Sequence, residues 1–178
     1  MQLKEKVELN IGGNLYTMQK ELDDFIKNTK NYSLSEESLF KKNLIGLLTE
    51  IGEFSNEHRG FKFWSNNQEP NVGEGELVNP LYEELIDILH FILSIGNSMN
   101  YGVFNIVIEP NRLGFEDLII DWYQSIMMFN NDSSLDNYNR IFTFFGEVVH
   151  HLGLNETDIQ KIYYAKYKKN IERQKTGY

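Results

Sequence analysis

At 178 residues the chain is long enough for one domain with a buried core and short for two. Its 17 Lys and Arg against 26 Asp and Glu leave a net charge of −9, which argues against a nucleic-acid scaffold, because polyanion binding needs a basic face. The absence of cysteine excludes disulfides, zinc–thiolate centres and thiol nucleophiles. The N-terminal MQLKEKVELNIGG lacks the apolar segment of a signal peptide, and no window of 18 apolar residues occurs, so a cytoplasmic protein with no membrane or nucleic-acid partner is expected.

The chain reads as helices. Its three prolines, Pro70, Pro80 and Pro110, punctuate apolar periodicity and do not interrupt it. After Gly12-Gly13, Leu15, Met18, Leu22, Phe25 and Ile26 recur at helical spacing. Ser33-x-x-Glu36 reads as a capping box that opens a second helix. Phe40, Leu44, Leu47, Leu48, Ile51 and Phe54 line one side of it, and its end is expected near Arg59-Gly60. A third helix starts at an Asn79 N-cap with Pro80 at its first position, where the missing N–H does no harm. Leu81, Leu85, Ile88, Leu89, Ile92 and Ile95 follow, with Asn100 and Gly102 as stop signals. A fourth helix is expected over about 115–129. A fifth, from about Ser134 to Leu152, has Phe142, Phe145 and Val149 as core and stops at Gly153. The last starts near Asn155-x-x-Asp158 and runs to about Arg173. No run of strict alternation asks for strands. The expected fold class is all-α, a helical bundle of about six helices in a single domain over residues 1–178. Between the second and third helices, Gly60–Asn79 lacks helical periodicity but carries Phe61, Phe63 and Trp64, which suggests a loop that packs on something.

Two carboxylate pairs carry the candidate chemistry. Glu50 and Glu53 lie three residues apart on the second helix, and Glu84 and Asp87 three apart on the third, so each pair shares one helix face. Both pairs sit inside apolar stretches, LIGLLTEIGEF and LYEELIDILHFIL, where like charges are costly to bury without a counterion. If the helices face one another, four carboxylates converge on a site suited to a hard cation, Mg²⁺ or Mn²⁺. The competing reading is that the acids line solvated helix faces. On the last helix, Lys166, Asn170 and Arg173 form one stripe with Lys169 nearby, a pattern suited to phosphate oxygens or to ordinary C-terminal charge enrichment. His90, three residues after Asp87, either shares the metal-facing side or is a partly buried core residue. Glu147-x-x-His150 has the spacing of a di-iron element, but only Asp87-x-x-His90 is available as its second half. His58 and His151 read as exposed helix-end residues.

LLTEIGEFSNEHRGFKFWS, EELIDILHFILSIG and YAKYKKNIERQKTGY together resemble the dimeric, all-α dUTPases of phages, bacteria and trypanosomatids. These belong to the all-α NTP pyrophosphatase (MazG-like) superfamily, whose E-x-x-E, spacer, E-x-x-D signature is matched by Glu50, Glu53, Glu84 and Asp87. The resemblance spans about Leu15 to Tyr178. It implies hydrolysis of dUTP, and of dUDP, to dUMP with Mg²⁺, which keeps uracil out of DNA and supplies dUMP for dTMP synthesis. The four acids would be the metal ligands, and Glu53 the carboxylate that deprotonates the attacking water, with attack at the β-phosphorus. Lys166, Asn170 and Arg173, with Lys169, would contact the phosphates. Gln19 would read the nucleoside, and His90, Phe61, Lys62 and Trp64 would contribute to substrate binding. Asp23 stands where many relatives have Asn. A homodimer is implied, with a regulatory protein partner if the chain is phage-encoded. The high Asn, Lys, Ile and Tyr use with a single alanine, Ala165, suggests an AT-rich genome, such as that of a phage or low-GC bacterium. Two alternatives remain: an all-α pyrophosphatase for another nucleotide such as dCTP, and a non-catalytic helical binding protein.

Overall fold

The computed structural model describes residues 7–10, 13–74, 77–102, 106–108 and 114–177. Gly12, Pro110, Tyr178 and two residues of the 60–79 loop lie outside them. Six helices follow in chain order: α1 (Gly13–Lys30), α2 (Glu36–His58), α3 (Pro80–Met99), α4 (Phe115–Asn131), α5 (Leu135–His151) and α6 (Glu156–Lys175). The fold is all-α, as the sequence predicts.

Two short strands, β1 (Val7–Leu9) and β2 (Ile106–Ile108), add an antiparallel ribbon that the sequence did not call for. Three residues each are too few to show alternation, and Val7 pairs with Ile108 across the chain. The ribbon lies against α5, where Gly146 leaves room for Ile106: a Cβ there would meet its side chain at 2.7 Å.

The helix ends follow from local chemistry. The N-cap of α2 is Ser35, whose side chain accepts from the Ser38 N–H, and not Ser33 as the capping-box pattern suggests. Glu36 and Glu37 then occupy the first turn, where negative charge suits the helix dipole. Arg59 closes α2 in the left-handed region at φ 64°. Asn79 caps α3 by accepting from the Tyr82 N–H, Pro80 opens it, and Asn100 ends it at φ 55°. At α6 the capping box forms in full: the Asn155 side chain accepts from Thr157 and Asp158, and the Asp158 carboxylate accepts from the Asn155 N–H.

Helix α3 is the central element. Ten of its residues are buried, on several sides, because α1, α2, α5 and α6 all pack on it. Its most extensive partner is α2, which contributes Leu44, Leu47, Ile51 and Phe54. Two polar rings tie the core together. Trp122 donates its indole N–H to the Ile141 carbonyl, and Tyr138 donates its hydroxyl to that of Ile92. Gly96 lets the Tyr138 ring reach α3, since a Cβ there would overlap the Tyr138 hydroxyl. Gly96→Ala should therefore destabilise by ~2–3 kcal/mol despite the better helix propensity of alanine, lowering the melting temperature by about 5–10 °C. An unchanged melting curve would show that the ring gives way freely.

Candidate active site

Because α2 and α3 run antiparallel side by side, residues one or two turns apart on each come to the same level. Glu50 from α2 and Glu84 and Asp87 from α3 each offer a carboxylate oxygen within 4.8 Å of the others. Glu53, one turn further along α2, is exposed and outside that trio, though its charge acts on both Glu50 and Glu84. Burial and the charges of Asp87, Glu53 and Glu84 push the Glu50 carboxyl up to about 8. Glu84 is raised by burial and by Asp87, and Asp87 by burial, against the opposing pull of Lys166. Three half-buried acids that crowd one another are short of positive charge. The site suits a cation with hard oxygen preference.

One cation is already nearby. The buried Lys166 ammonium lies 2.5 Å from Asp87 Oδ2 and 3.2 Å from Glu83 Oε2. It sits on the stripe that α6 uses for packing: Ile159, Ile162 and Tyr163 are buried, and Lys166 is the next position on that face. Farther along, Asn170 and Arg173 reach the wall of a cavity of about 480 Å³. Lys169, more exposed, pairs with Glu83 at 2.6 Å.

That cavity runs from Glu50 and Asp87 along α3 past His90, Phe91, Ser94 and Asn97, with α1 forming the opposite wall. Ser94 lies two turns from Asp87 on the same face, about 10 Å along the axis. The volume falls within the range of small-molecule sites.

A buried polar relay organises its α1 side. The Gln19 amide donates to Asp23 Oδ1 at 2.8 Å and to Ser94 Oγ at 2.9 Å, while its carbonyl accepts from Tyr163 at 2.7 Å and from His90 Nδ1. Since that carbonyl only accepts, His90 Nδ1 carries the hydrogen. Burial lowers the His90 pKa to about 3, so the ring is neutral and its Nε2 is an acceptor. Nε2 is buried and has no hydrogen-bond partner. Gln19 uses four hydrogen bonds on protein groups, so its role in the free protein is to fix His90, Asp23 and Ser94.

The aromatic loop stands apart. Phe61, Phe63 and Trp64 pack edge to face on one another but are exposed, at 43%, 83% and 65%. Of the rings expected to pack on something, Phe61 and Phe63 each meet the edge or face of Trp64, and Lys62 lies over the Phe61 ring. None of these residues lines the cavity. The loop is anchored near the end of α2 by Arg59, which donates to Asn67 and the Glu69 carbonyl, and by Asn71, which bonds Glu57. His58 also departs from expectation. It is half-buried and stacked on Phe115 at 3.5 Å between ring centroids, and burial lowers its pKa to about 4.

A family model described as dUTPase matches residues 13–178, from the start of α1 to the end of the chain, and so includes both acid pairs and the α6 stripe. The chain belongs to the dUTPase family. No curated protein matches it significantly. As a dUTP diphosphatase it hydrolyses dUTP, and the cavity beside the acids, at about 480 Å³, is within the size range of small-molecule sites. Residues that the sequence reading passed over line it too, namely Asn43, Phe91, Ser94, Asn97 and Gln174. One signal was available: Asp87, His90, Ser94 and Asn97 form a polar stripe at helical spacing on an otherwise apolar helix.

Asp23 gives a pH-dependent test. Burial raises its carboxyl to about 6, against hydrogen bonds from Gln19 and Ser94 that favour the ionised form. The folded pKa lies above the unfolded one, so the favourable contribution is full below about pH 4 and is lost as pH rises through about 6. Ionised, the buried group costs on the order of 2–3 kcal/mol. Asp23→Asn keeps an acceptor for Gln19 and Ser94 without the charge. It should raise the melting temperature of this dUTPase at pH 7.5 by several degrees and change it little at pH 4.5. An equal shift at both pH values would show that Asp23 ionisation is not the cause.

Proposed function

We propose that Glu50, Glu84 and Asp87 hold a divalent cation, Mg²⁺ or Mn²⁺, and that dUTP lies along the cavity with its phosphates at the acids and its base toward Ser94 and Asn97. One observation carries this reading. A cluster of oxygen donors with excess negative charge forms the end of a nucleotide-sized cavity in a chain of the dUTPase family. When bound, the cation supplies neutralisation of phosphate charge and acidification of water. Glu53 is proposed to accept the proton of the attacking water, a role that its exposure to solvent one turn from Glu50 supports. Asn170, Arg173 and Lys169 offer donors for phosphate oxygens, with Lys166 behind them. His90 Nε2 accepts an N–H or O–H of the nucleoside, held in that tautomer by Gln19.

Base selection follows from the same wall. Uracil differs from thymine by lacking one methyl, and a close ring can exclude that methyl by clash. Phe91 lies on the cavity wall, and its ring crosses α2 so closely that only a glycine, Gly46, fits beneath it. Phe91→Ala should narrow the ratio of kcat/KM for dUTP over dTTP by ~10-fold or more. A ratio kept in Phe91→Ala but lost in Trp64→Ala or Phe61→Ala would place the methyl against the loop, and the base with it.

The reading extends to dUDP as a second substrate and to a cytoplasmic homodimer. Exposed apolar side chains, Ile45, Ile120, Met127 and Met128, support association of two copies. No helix among the described residues is long and apolar enough to cross a membrane. A regulatory protein partner belongs to the same proposal if the gene is a phage's. Pyrophosphate release from a panel of dNTPs tests the whole: dUTP should be cleaved in Mg²⁺ and hardly at all in excess EDTA. Full turnover in EDTA, or preference for dCTP, would overturn it.

A further inference from the structure

Glu83 precedes the acid pair of α3 and lies outside the Glu50–Glu84–Asp87 cluster. A single one of its oxygens, Oε2, is bound by two ammonium groups, Lys166 at 3.2 Å and Lys169 at 2.6 Å. Lys166 also lies 2.5 Å from Asp87. The Lys166 side chain is only 6% exposed, so water cannot replace a lost anion. Its charge is thus divided between two carboxylates, and one of them, Asp87, belongs to the cluster.

This division has a consequence for any cation that enters. A dication at the cluster takes up the Asp87 charge and sets two positive charges beside a third. Lys166 must then either hold Asp87 back from the cation or lean on another anion. Glu83, one turn before Asp87 on the same helix, is that anion.

We propose that Glu83 is the counter-ion that frees Asp87 from Lys166, and so a positioning residue for cation binding that touches neither cation nor substrate. The proposal rests on the cation reading above. It differs from a simple field effect, in which Glu83 would attract the cation as one more nearby negative charge.

Mn²⁺ binding separates the two, read from the EPR signal of free Mn²⁺ without substrate or turnover. Four proteins are compared: wild type, Glu83→Gln, Lys166→Met and the double variant. Glu83→Gln should weaken Mn²⁺ binding by ~10-fold or more. Lys166→Met should tighten it, because Asp87 loses its competing partner. In the Lys166→Met background, Glu83→Gln should cost less than ~3-fold, since there is no ammonium left to hold. Equal losses in both backgrounds would reduce Glu83 to a general charge and overturn the proposal. Weaker binding in Lys166→Met would overturn it too, and this arm stands even if Glu83→Gln fails to fold. Wild type that binds Mn²⁺ while Glu83→Gln matches it would sink the counter-ion role alone. Wild type that binds no Mn²⁺ would remove the cation site and this role together.

Discussion

Glu84→Gln should lower dUTP turnover by on the order of 10³-fold, and added Mg²⁺ should not restore it. The change keeps the shape of the side chain and removes one of the three carboxylates that the cluster gathers within 4.8 Å. A neutral amide offers the cation a weaker oxygen and can turn an N–H toward it. The protein itself should lose no stability, because Glu84 is raised by burial and by Asp87 and is half-buried in the cation-free state. Relieving that repulsion helps the fold. The pair of results expected is therefore a dead enzyme with an equal or higher melting temperature. A variant with near wild-type turnover would show that the cation, if used, binds elsewhere.

Glu53→Gln should lose at least ~10²-fold in turnover with a smaller change in KM. Glu53 is exposed and stands one turn beyond Glu50, next to the trio but outside it. Those are the conditions for a group that meets a water molecule. Removing its basicity should slow the chemical step and leave Mn²⁺ affinity within a few fold of wild type. Glu84→Gln should instead lose both. If Glu53→Gln abolishes Mn²⁺ binding as completely as Glu84→Gln does, Glu53 is a ligand first and the assignment of the base is wrong. If it turns over like wild type, the proton goes elsewhere.

The helices were legible because their signals are local. Asn79-Pro80 and Asn155-x-x-Asp158 mark helix starts by chemistry confined to four residues. NYSLSEES, by contrast, offers Ser33 and Ser35 ahead of the acids Glu36 and Glu37, and only the structure shows that Ser35 makes the cap. Charged groups at the site were legible in part. Glu50, Glu84 and Asp87 stood out as acids inside apolar stretches. Lys166 could have been read as buried, since it continues the stripe of Ile159, Ile162 and Tyr163. Contacts between distant helices left no such trace. Nothing near Glu83 in the sequence announces Lys166 and Lys169, and nothing near Gln19 announces Ser94, His90 and Tyr163. The aromatic loop misled because three rings usually mean burial, whereas Phe61, Phe63 and Trp64 shield mainly one another.

The most direct measurement is a crystal of the protein grown with Mn²⁺ and a non-hydrolysable dUTP analogue, with anomalous scattering recorded at the manganese edge. The account predicts a manganese peak among Glu50, Glu84 and Asp87, phosphate oxygens facing Asn170 and Arg173, and the base two turns along α3 near Ser94 and Asn97. A peak away from those three carboxylates would contradict it, as would an analogue whose base lies outside the cavity.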